Sequence, residues 1–186
     1  MADAKKVAVL VGSLRQGSFN RKLANALIGM QPASLALHIV EIGDLPLYNQ
    51  DIEASPPEAW VRFRDQVRGS DAVLFVTPEY NRSVPGALKN AIDVGSRPYG
   101  ASVWSGKPGA VISVSPGAIG GYGANHHLRQ SLVFLDVPAM QQPEAYVGGA
   151  DKLFDDSGAL TNASTREFLG KYLAAFDRWI TRNAAG

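Results

Sequence analysis

Four short apolar runs, separated by longer segments of helical character, are the feature that most limits how this chain can fold. The runs are rich in Val, Ile and Leu and do not alternate with polar residues, which is typical of strands covered on both faces of a parallel sheet. They are residues 7–11, 37–42, 72–76 and 110–114, and a weaker fifth candidate lies around residues 137–140. The alternation of strand and helix predicts a doubly wound α/β sheet with right-handed crossovers.

Two segments carry the signals of a helix start. Ser55, Pro56 and Glu58 offer an N-cap, a proline near the first helical position and a capping-box acid. Residues 164–167, Ser-Thr-Arg-Glu, predict a second capping box. The apolar stripe that follows has helical spacing, and we expect it to face the core rather than a cofactor. The stripe comprises Phe168, Tyr172, Ala175, Phe176, Trp179 and Ile180.

The composition excludes several classes of protein. The chain has no cysteine, which excludes disulfides, thiolate metal sites, iron–sulfur clusters and a cysteine nucleophile. A net charge of +1 gives no general attraction to nucleic acid or to an anionic membrane. No apolar run approaches the roughly 20 residues that span a bilayer, and no early segment resembles a secretory signal. We therefore expect a cytoplasmic protein that has neither nucleic acid nor a membrane as its partner.

The chain is expected to be one domain without a metal site. Its 186 residues contain no internal repeat and no linker between patterned halves, so a single domain over residues 1–186 suffices. The adjacent His126 and His127 would point about 100° apart on a helix, which does not suit a metal pair. His38 stands alone in a strand-like run.

A polar loop, residues 12–20, follows the first predicted strand and opens a helix. Ligands of open α/β sheets bind beyond the carboxyl ends of the strands, and a helix N-terminus suits a phosphate. Ser13, Ser18 and Asn20 add neutral donors, and Arg15 adds a cationic one. The loop lacks the Gly-Lys-Ser/Thr end of a P-loop and the three-glycine spacing of a dinucleotide site. Two interpretations stay open: a phosphate cradle, or a plain turn in which Ser18 caps the helix.

A second loop, residues 77–86, follows the third strand and faces the same crevice. Tyr80 is suited to contact a planar ring, while backbone amides of the loop could bond the polar edge of that ring. Glu79 alone would suggest a general base, but no partner stands at a telling spacing. We expect Ser83 to cap the next helix, on which Lys89 and Asp93 form an i,i+4 ion pair.

A third loop, residues 113–123, follows the fourth strand and holds four glycines within seven residues. Glycine permits unusual dihedral angles and close backbone approach. The loop is therefore compatible with lining the flat face of a cofactor and also with being a mobile segment.

Together the loops resemble a known family. The motifs GSLRxxSxNxxLA at residues 12–24 and PEYNxSxPGxLKNAID at residues 78–93 are similar to those of the NADPH-dependent FMN reductases, which include bacterial quinone, chromate and azo-dye reductases. The likeness extends through residues 106–108, the third loop and residues 127–129, so it covers most of the chain. It implies a flavodoxin-like three-layer α/β/α sandwich whose five-stranded parallel sheet has the order 2-1-3-4-5.

The resemblance also implies a cofactor and its contacts. FMN would be bound, with NADPH or NADH as the hydride donor. The FMN phosphate would lie against the first loop, the isoalloxazine ring against the second, and the third loop near the ribityl chain or the ring. No catalytic side chain is implied, because the flavin carries the chemistry. The implied cofactor-binding residues are Ser13, Leu14, Arg15, Gln16, Gly17, Ser18, Phe19, Asn20, Pro78, Glu79, Tyr80, Asn81, Arg82, Ser115 and Gly117.

The implied activity is that of an FMN-dependent NAD(P)H oxidoreductase. Quinones, chromate, azo compounds or free flavin would be its small-molecule acceptors, reduced by ping-pong hydride transfer through the bound FMN. Family members are commonly homodimers or homotetramers, and His126, His127, Arg129 and Glu144 form the candidate interface. Arg82 would pair with nucleotide phosphates, meet the acceptor or contact another subunit. Loop 97–105 varies in the family, so specificity does not transfer through it.

Three other functions share features with this sequence. A flavodoxin-type electron carrier would share the fold and the cofactor, but such carriers are usually strongly acidic, whereas this chain has a pI of about 8.0. A non-catalytic nucleotide-binding module is a second alternative. A low-molecular-weight phosphatase also places a phosphate loop after the first strand, but its chemistry needs the cysteine that this chain lacks.

Overall fold

The computed structural model describes residues 3–184 and contains a five-stranded sheet. The strands are β1 (Lys5–Val11), β2 (Leu35–Ile39), β3 (Ala72–Thr77), β4 (Gly109–Val114) and β5 (Ala145–Val147). They lie in the order β2-β1-β3-β4-β5, and every neighbouring pair is parallel. This order and direction confirm the flavodoxin-like sheet predicted from the sequence.

Five α-helices cover the two faces of the sheet. The side chains of β1 alternate between two cores: Val7 and Val9 pack with α1 and α5, whereas Ala8 and Leu10 pack with α2, α3 and α4. Strands β3 and β4 are buried along their whole length, which explains why their sequences do not alternate. The helices are α1 (Phe19–Gly29), α2 (Glu58–Arg68), α3 (Gly86–Gly95), α4 (Tyr122–Phe134) and α5 (Ala163–Asn183).

The fifth strand is not where the sequence placed it. Residues 137–140 run beside the start of β4, where the Gly109 N–H donates to the Pro138 carbonyl oxygen (3.1 Å) and the Met140 N–H donates to the Gly109 carbonyl oxygen (2.8 Å). Pro138 has no N–H to continue a ladder, and the edge strand forms later, as β5. Val137 and Met140 are buried, so the segment has the composition of a strand without being one.

The starts of α2 and α5 also differ from expectation. Helix α2 begins at Glu58 with Pro57 at its N-cap position and no side-chain cap, so Ser55 lies outside the helix. Helix α5 begins before the predicted capping box, because Asn162 Oδ1 accepts the N–H of Thr165 at 2.9 Å. Asparagine is as good an N-cap as serine, and Asn162 precedes Ser164 in the chain.

The apolar stripe of α5 packs on the sheet as predicted. Tyr172, Phe176 and Ile180 are buried in the core shared with α1, and the other members of the stripe are partly buried against it. The Tyr172 hydroxyl donates to the Val111 carbonyl oxygen of β4 at 3.0 Å. This bond satisfies the polar end of an otherwise apolar contact.

The second family motif continues into α3, where its polar residues have structural roles. Asn90 Oδ1 accepts the N–H of Tyr48 at 2.8 Å, and its Nδ2 donates to the carbonyl oxygens of Leu45 and Pro46, 3.1 Å each. These bonds hold the loop after β2 against α3. The predicted ion pair on the outer face, Lys89 with Asp93, is present at 2.8 Å.

Helix α3 ends on a glycine that makes room for an indole ring. Trp104 is fully buried, and its Nε1 donates to the Ile92 carbonyl oxygen at 2.9 Å. A Cβ on Gly95 would lie 2.5 Å from the Trp104 ring. Because Gly95 has no side chain, the Trp104 ring can pack against the end of α3. This packing fixes the path of loop 97–105.

We expect Gly95→Ala to lower the free energy of unfolding by roughly 1–3 kcal/mol, because a methyl group that overlaps a buried indole forces the core to shift. Urea unfolding followed by tryptophan fluorescence measures this change. Gly29→Ala is the matched control: Gly29 also ends a helix, but the space around its Cβ position is open. Alanine there should leave stability unchanged or raise it by up to about 1 kcal/mol. Equal effects of the two substitutions would contradict the expected clash.

Candidate functional site

The loops after β1, β3 and β4 meet at the carboxyl edge of the sheet around a crevice of about 670 Å³. This volume is typical of small-molecule sites, which run from roughly 300 to 1,000 Å³. The first two loops converge here as the sequence predicts. The predicted residues that line the crevice are Ser13, Leu14, Arg15, Ser18, Phe19, Asn20, Pro78, Glu79 and Tyr80.

The remaining predicted residues lie outside the lining. They are Gln16, Gly17, Asn81, Arg82, Ser115 and Gly117. All of them except Ser115 are exposed. The Ser115 hydroxyl accepts the N–H of Gly117 at 3.1 Å, and the N–H of Ser115 donates to the Val147 carbonyl oxygen at 3.0 Å. These bonds shape the start of the third loop.

Several lining residues were missed by the reasoning from the sequence. They carry no polar side chain, so residue chemistry alone gave no reason to select them. Their only signal was position, at the end of a strand or inside a family motif. They are Gly12, Pro85, Ala87, Val114 and Pro116.

Helix α1 opens beside the crevice with its first amides unpaired. Ser18 is the N-cap, and its Oγ accepts the N–H of Arg21 at 3.3 Å. The N–H groups of Phe19 and Asn20 make no hydrogen bond to any of residues 3–184. Unpaired amides at a helix start carry partial positive charge and suit an anion. The cap and the anion site are therefore compatible, although the sequence presented them as alternatives.

Asn20 brings an unsatisfied acceptor into the crevice. The residue is 4% exposed, and its Nδ2 donates to the Val114 carbonyl oxygen at 3.4 Å. Its Oδ1 is buried and has no partner in the part of the chain that the structure describes. A buried acceptor without a donor costs roughly 1–3 kcal/mol. A bound molecule with an N–H or O–H group that reached this oxygen would remove that cost.

The second loop reverses at Asn81 and Arg82, which both have left-handed backbones. Their φ angles are 49° and 63°. Tyr80 and Ser83 exchange two backbone hydrogen bonds of 3.0 Å across them. These are the features of a two-residue hairpin turn of type I′, in which Asn-Gly is favoured. An arginine in this conformation is strained by about 1–2 kcal/mol, and such strain is concentrated at functional sites.

Ser83 does not cap α3, contrary to expectation. Helix α3 starts only at Gly86, with Pro85 at the N-cap position and no side-chain cap. The hydroxyl of Ser83 instead lies 3.0 Å from Nδ1 of His127 on α4. The side chain that was expected to end a local turn thus makes a tertiary contact.

The carboxylate of Glu79 is engaged by the protein itself. Its Oε2 accepts the N–H of Ala124 at 3.2 Å, and its Oε1 lies 3.5 Å from Nη1 of Arg82. The Glu79 side chain is 13% exposed, whereas that of Arg82 is 78% exposed. Their ion pair is consequently weak, and the backbone contact is the stronger constraint on Glu79.

Close backbone contacts pack the glycine-rich third loop against its neighbours. A Cβ on Gly120 would lie 2.6 Å from the backbone of Tyr146. A Cβ on Gly148 would lie 2.5 Å from the carbonyl oxygen of Ala118. No larger residue fits at these two positions without moving the backbone, so the glycines serve close approach between the third loop and the segment after β5.

An aromatic cluster flanks the third loop. The ring centroids of Tyr122 and His126 lie 4.1 Å apart, and Nε2 of His126 lies 2.9 Å from the Tyr146 hydroxyl. Burial and the nearby Glu144 carboxylate raise the pKa of Tyr146 to about 12. The Tyr146 hydroxyl therefore stays protonated at neutral pH.

Two larger clefts lie away from the three loops. One, of about 730 Å³, is bounded by α3, loop 97–105 and the end of α4. The other, of similar volume, lies at the amino edge of the sheet. Neither contains a predicted site residue. Within residues 3–184 no three His, Asp or Glu side chains are arranged to hold a metal ion. None of the helices described is both long and apolar enough to cross a membrane.

The arrangement of loops and sheet is that of a known family. A family model for NADPH-dependent FMN reductases matches residues 5–152. That stretch runs from β1 through β5 and includes all three loops of the crevice. The chain belongs to the NADPH-dependent FMN reductase family.

Individual relatives agree with this assignment. A quinone reductase of Pseudomonas putida is 69% identical over 186 residues, which is 100% of both chains. A 2-hydroxy-1,4-benzoquinone reductase of a Burkholderia species is 46% identical over 177 residues, 95% of this chain and 97% of that protein. Among solved structures, FerB, a flavoenzyme NAD(P)H:(acceptor) oxidoreductase from Paracoccus denitrificans, has a TM-score of 0.92 at 44% identity and covers 98% of this chain and 100% of its own. The resemblance predicted from the motifs is confirmed.

We expect Arg82→Gly to be more stable than Arg82→Ala by roughly 0.5–1 kcal/mol. Glycine adopts the φ of 63° without steric strain, and this gain exceeds the larger chain entropy that glycine recovers on unfolding. Both variants lose the same guanidinium group, so their difference isolates the backbone. Urea unfolding of the pair measures it, and equal midpoints would mean that the turn carries no strain.

Proposed function

We propose that this protein is an FMN-dependent NAD(P)H oxidoreductase that reduces quinones or other small acceptors. The main support is a relative that is 69% identical over the full length of both chains and is named a quinone reductase. The two loops that contain the family motifs form a crevice, which agrees with this proposal. The name of FerB, an NAD(P)H:(acceptor) oxidoreductase, supports the same class. Chromate, azo compounds and free flavin are further acceptors within this proposal.

The first loop has the groups needed to hold the FMN phosphate. The unpaired amides of Phe19 and Asn20 would donate to it at the positive end of α1. Arg15, the basic residue of the lining, would add a permanent positive charge. Ser13 and Ser18 would complete the cradle with hydroxyl groups. Neighbours that would contribute backbone or apolar contacts are Leu14, Gln16 and Gly17.

The rest of the crevice fits the remainder of the cofactor. The unpartnered Oδ1 of Asn20 would accept a hydrogen bond from a ribityl hydroxyl. Pro78 and the exposed ring of Tyr80 offer flat surface to the isoalloxazine. The other proposed contacts of the ring and its neighbourhood are Glu79, Asn81, Arg82, Ser115 and Gly117.

Bound FMN would supply the redox chemistry by accepting hydride from NADPH or NADH and passing it to the acceptor. The chain's own residues would bind the cofactor and orient it. Glu79 has no assigned acid–base role, because its carboxylate is bonded to the Ala124 N–H. Arg82 is exposed at the tip of the second loop, where it would meet the phosphates of the nicotinamide nucleotide or a charged acceptor. The proposal covers residues 1–186 as one FMN-binding domain in the cytoplasm, without nucleic-acid or membrane partners.

The direct test is optical and kinetic. We expect the purified protein to be yellow, to be bleached by NADPH or NADH without oxygen, and to regain its colour when benzoquinone is added. A protein that binds FMN but is bleached by neither nucleotide would be an electron carrier of the flavodoxin type or a non-catalytic nucleotide-binding module. A preparation that stays colourless after incubation with FMN would refute the proposal entirely.

The same preparation tests the phosphate cradle. Arg15→Ala should weaken FMN binding by roughly 1.5–3 kcal/mol, the usual value of a hydrogen bond to a charged group. Titration of the FMN-free protein, followed by flavin fluorescence, gives the Kd. Arg178→Ala is the control, since Arg178 is exposed on α5 and follows Asp177, which pairs with Lys5 at the amino end of β1. Equal Kd values for the two variants would remove Arg15 from the cradle.

We further propose that the protein is a homo-oligomer, either a dimer or a tetramer. Three large apolar side chains are exposed where loop 97–105 meets the end of α4: Tyr99 (92%), Val133 (79%) and Phe134 (90%). Tyr99 and Phe134 line the same cleft. Exposed aromatic patches of this kind mark protein interfaces. A second copy of the chain is the occupant that we propose, with the aromatic side chains of one copy packed against the cleft of the other.

The interface expected from the sequence involves the same helix. Arg129 is bonded within its own chain, to Asn125 Oδ1 at 2.9 Å and to the Met140 carbonyl oxygen at 2.8 Å. A role for His126, His127, Arg129 and Glu144 between subunits stays a prediction. In a tetramer both ends of α4 would be used.

Phe134→Glu should shift the protein toward the monomer, because a charge cannot be buried unpaired in an apolar contact. Size-exclusion chromatography with light scattering across a dilution series measures the mass. Val61→Glu is the control, since Val61 is an exposed apolar residue on α2 away from the cleft. Unchanged masses for both variants would place the interface elsewhere.

A further inference from the structure

Helix α4 starts without a cap of its own. Its N-cap position is Gly121, which has a φ of 77° and no side chain to accept a hydrogen bond. A capping side chain usually accepts from the second or third amide of the helix. In α4 the third amide is that of Ala124.

Glu79 supplies the missing cap from the second loop. Its Oε2 accepts the Ala124 N–H across a separation of 45 residues, and the positive end of α4 favours a carboxylate at this place. Gly123 makes the approach possible, because a Cβ there would lie 2.9 Å from the Glu79 Oε2 and 2.9 Å from the Arg82 carbonyl oxygen.

Helix α4 is a firm support for this contact. Asn125, next to Ala124, is fully buried. Its Nδ2 donates to Ser113 Oγ and to the Ala145 carbonyl oxygen, 3.3 Å each. These bonds tie the first turn of α4 to β4 and β5, so whatever is bonded to Ala124 is held relative to the whole sheet.

A second bond ties the far end of the hairpin to the same helix. Ser83 contacts His127, which lies three residues beyond Ala124 on α4. Glu79 and Ser83 therefore bracket the left-handed tip, and both contacts end on α4. The strained backbone of Asn81 and Arg82 is held between two fixed points.

We propose that Glu79 is a positioning residue, which caps α4 and thereby holds the hairpin of residues 80–83 against the crevice. The cap fixes the place of the Tyr80 ring, and through it the surface that the flavin meets. This consequence for FMN depends on the proposed function, whereas the bond to Ala124 does not.

The test compares Glu79→Ala with Glu79→Gln. Alanine removes the acceptor, whereas glutamine keeps a side-chain oxygen that can accept the same N–H. Loss of a cap changes the local equilibrium by about tenfold. In Glu79→Ala we expect hydrogen exchange at the Ala124 amide to be about tenfold faster, and the Kd of the FMN-free protein for FMN to be about tenfold higher. In Glu79→Gln exchange at Ala124 should slow again and the Kd for FMN should fall well below that of Glu79→Ala, because the remaining oxygen can accept the same N–H.

Two further variants keep the outcome interpretable. Gly123→Ala leaves Glu79 in place but inserts a methyl group between the carboxylate and the helix, so it should also speed exchange at Ala124 and weaken FMN. If Glu79→Ala fails to fold, Gly123→Ala still tests the cap. Glu167→Ala removes an exposed carboxylate that pairs with Lys171 on α5, and neither value should change.

The possible results separate the two proposals. Unmodified protein that binds no FMN defeats the proposed function, but exchange at Ala124 still reports on the cap. Unchanged exchange in both Glu79→Ala and Gly123→Ala overturns the cap. Faster exchange with unchanged FMN affinity overturns the positioning role. A Glu79→Gln variant as impaired as Glu79→Ala also overturns it, because the effect would then follow the charge rather than the hydrogen bond.

Discussion

The parallel pairing of β1 with β3 is the interaction on which the site depends. Val7 pairs with Ala72 and Val11 with Val76, and the Gly12 N–H extends the ladder to the Val76 carbonyl oxygen at 2.9 Å. Helix α1 then packs on one face of the sheet and α3 on the other. The two loops therefore diverge from one hydrogen-bonded point, and the crevice opens between them. The strand order therefore determines where the site lies.

Much of the fold could be predicted because buried parallel strands and amphipathic helices leave strong compositional signals. The four apolar runs overlap β1 through β4, although the second run, residues 37–42, continues three residues past the end of β2. The stripe on α5 faces the core as expected. The edge strand could not be found in this way. Its three residues, Ala145–Val147, are too few to show a pattern, whereas Val137 and Met140 are buried beside β4 in a segment that does not form a strand.

Within the site, the sequence located the first two loops but not the bonds between elements. The residues of the first loop could be chosen by their polar chemistry and by their place before a helix, and most of them do line the crevice. The bond from Glu79 to Ala124 and the contact of Ser83 with His127 join segments 45 and 44 residues apart, so no local pattern encodes them. Val114 and Pro116 were missed because apolar residues carry no chemical signal of a site.

Side chains with tertiary contacts and side chains exposed to solvent are separated along the second loop. Glu79 and Ser83 carry the tertiary contacts, while the side chains of Asn81 and Arg82 stand in solvent. The side chains at these two positions can therefore be changed with little effect on packing. The contacts of Glu79 and Ser83 with α4 keep the backbone between them in place. Selection for a different electron acceptor, in nature or in the laboratory, can act here on exposed side chains, within the limit that the left-handed backbone sets on the type of residue.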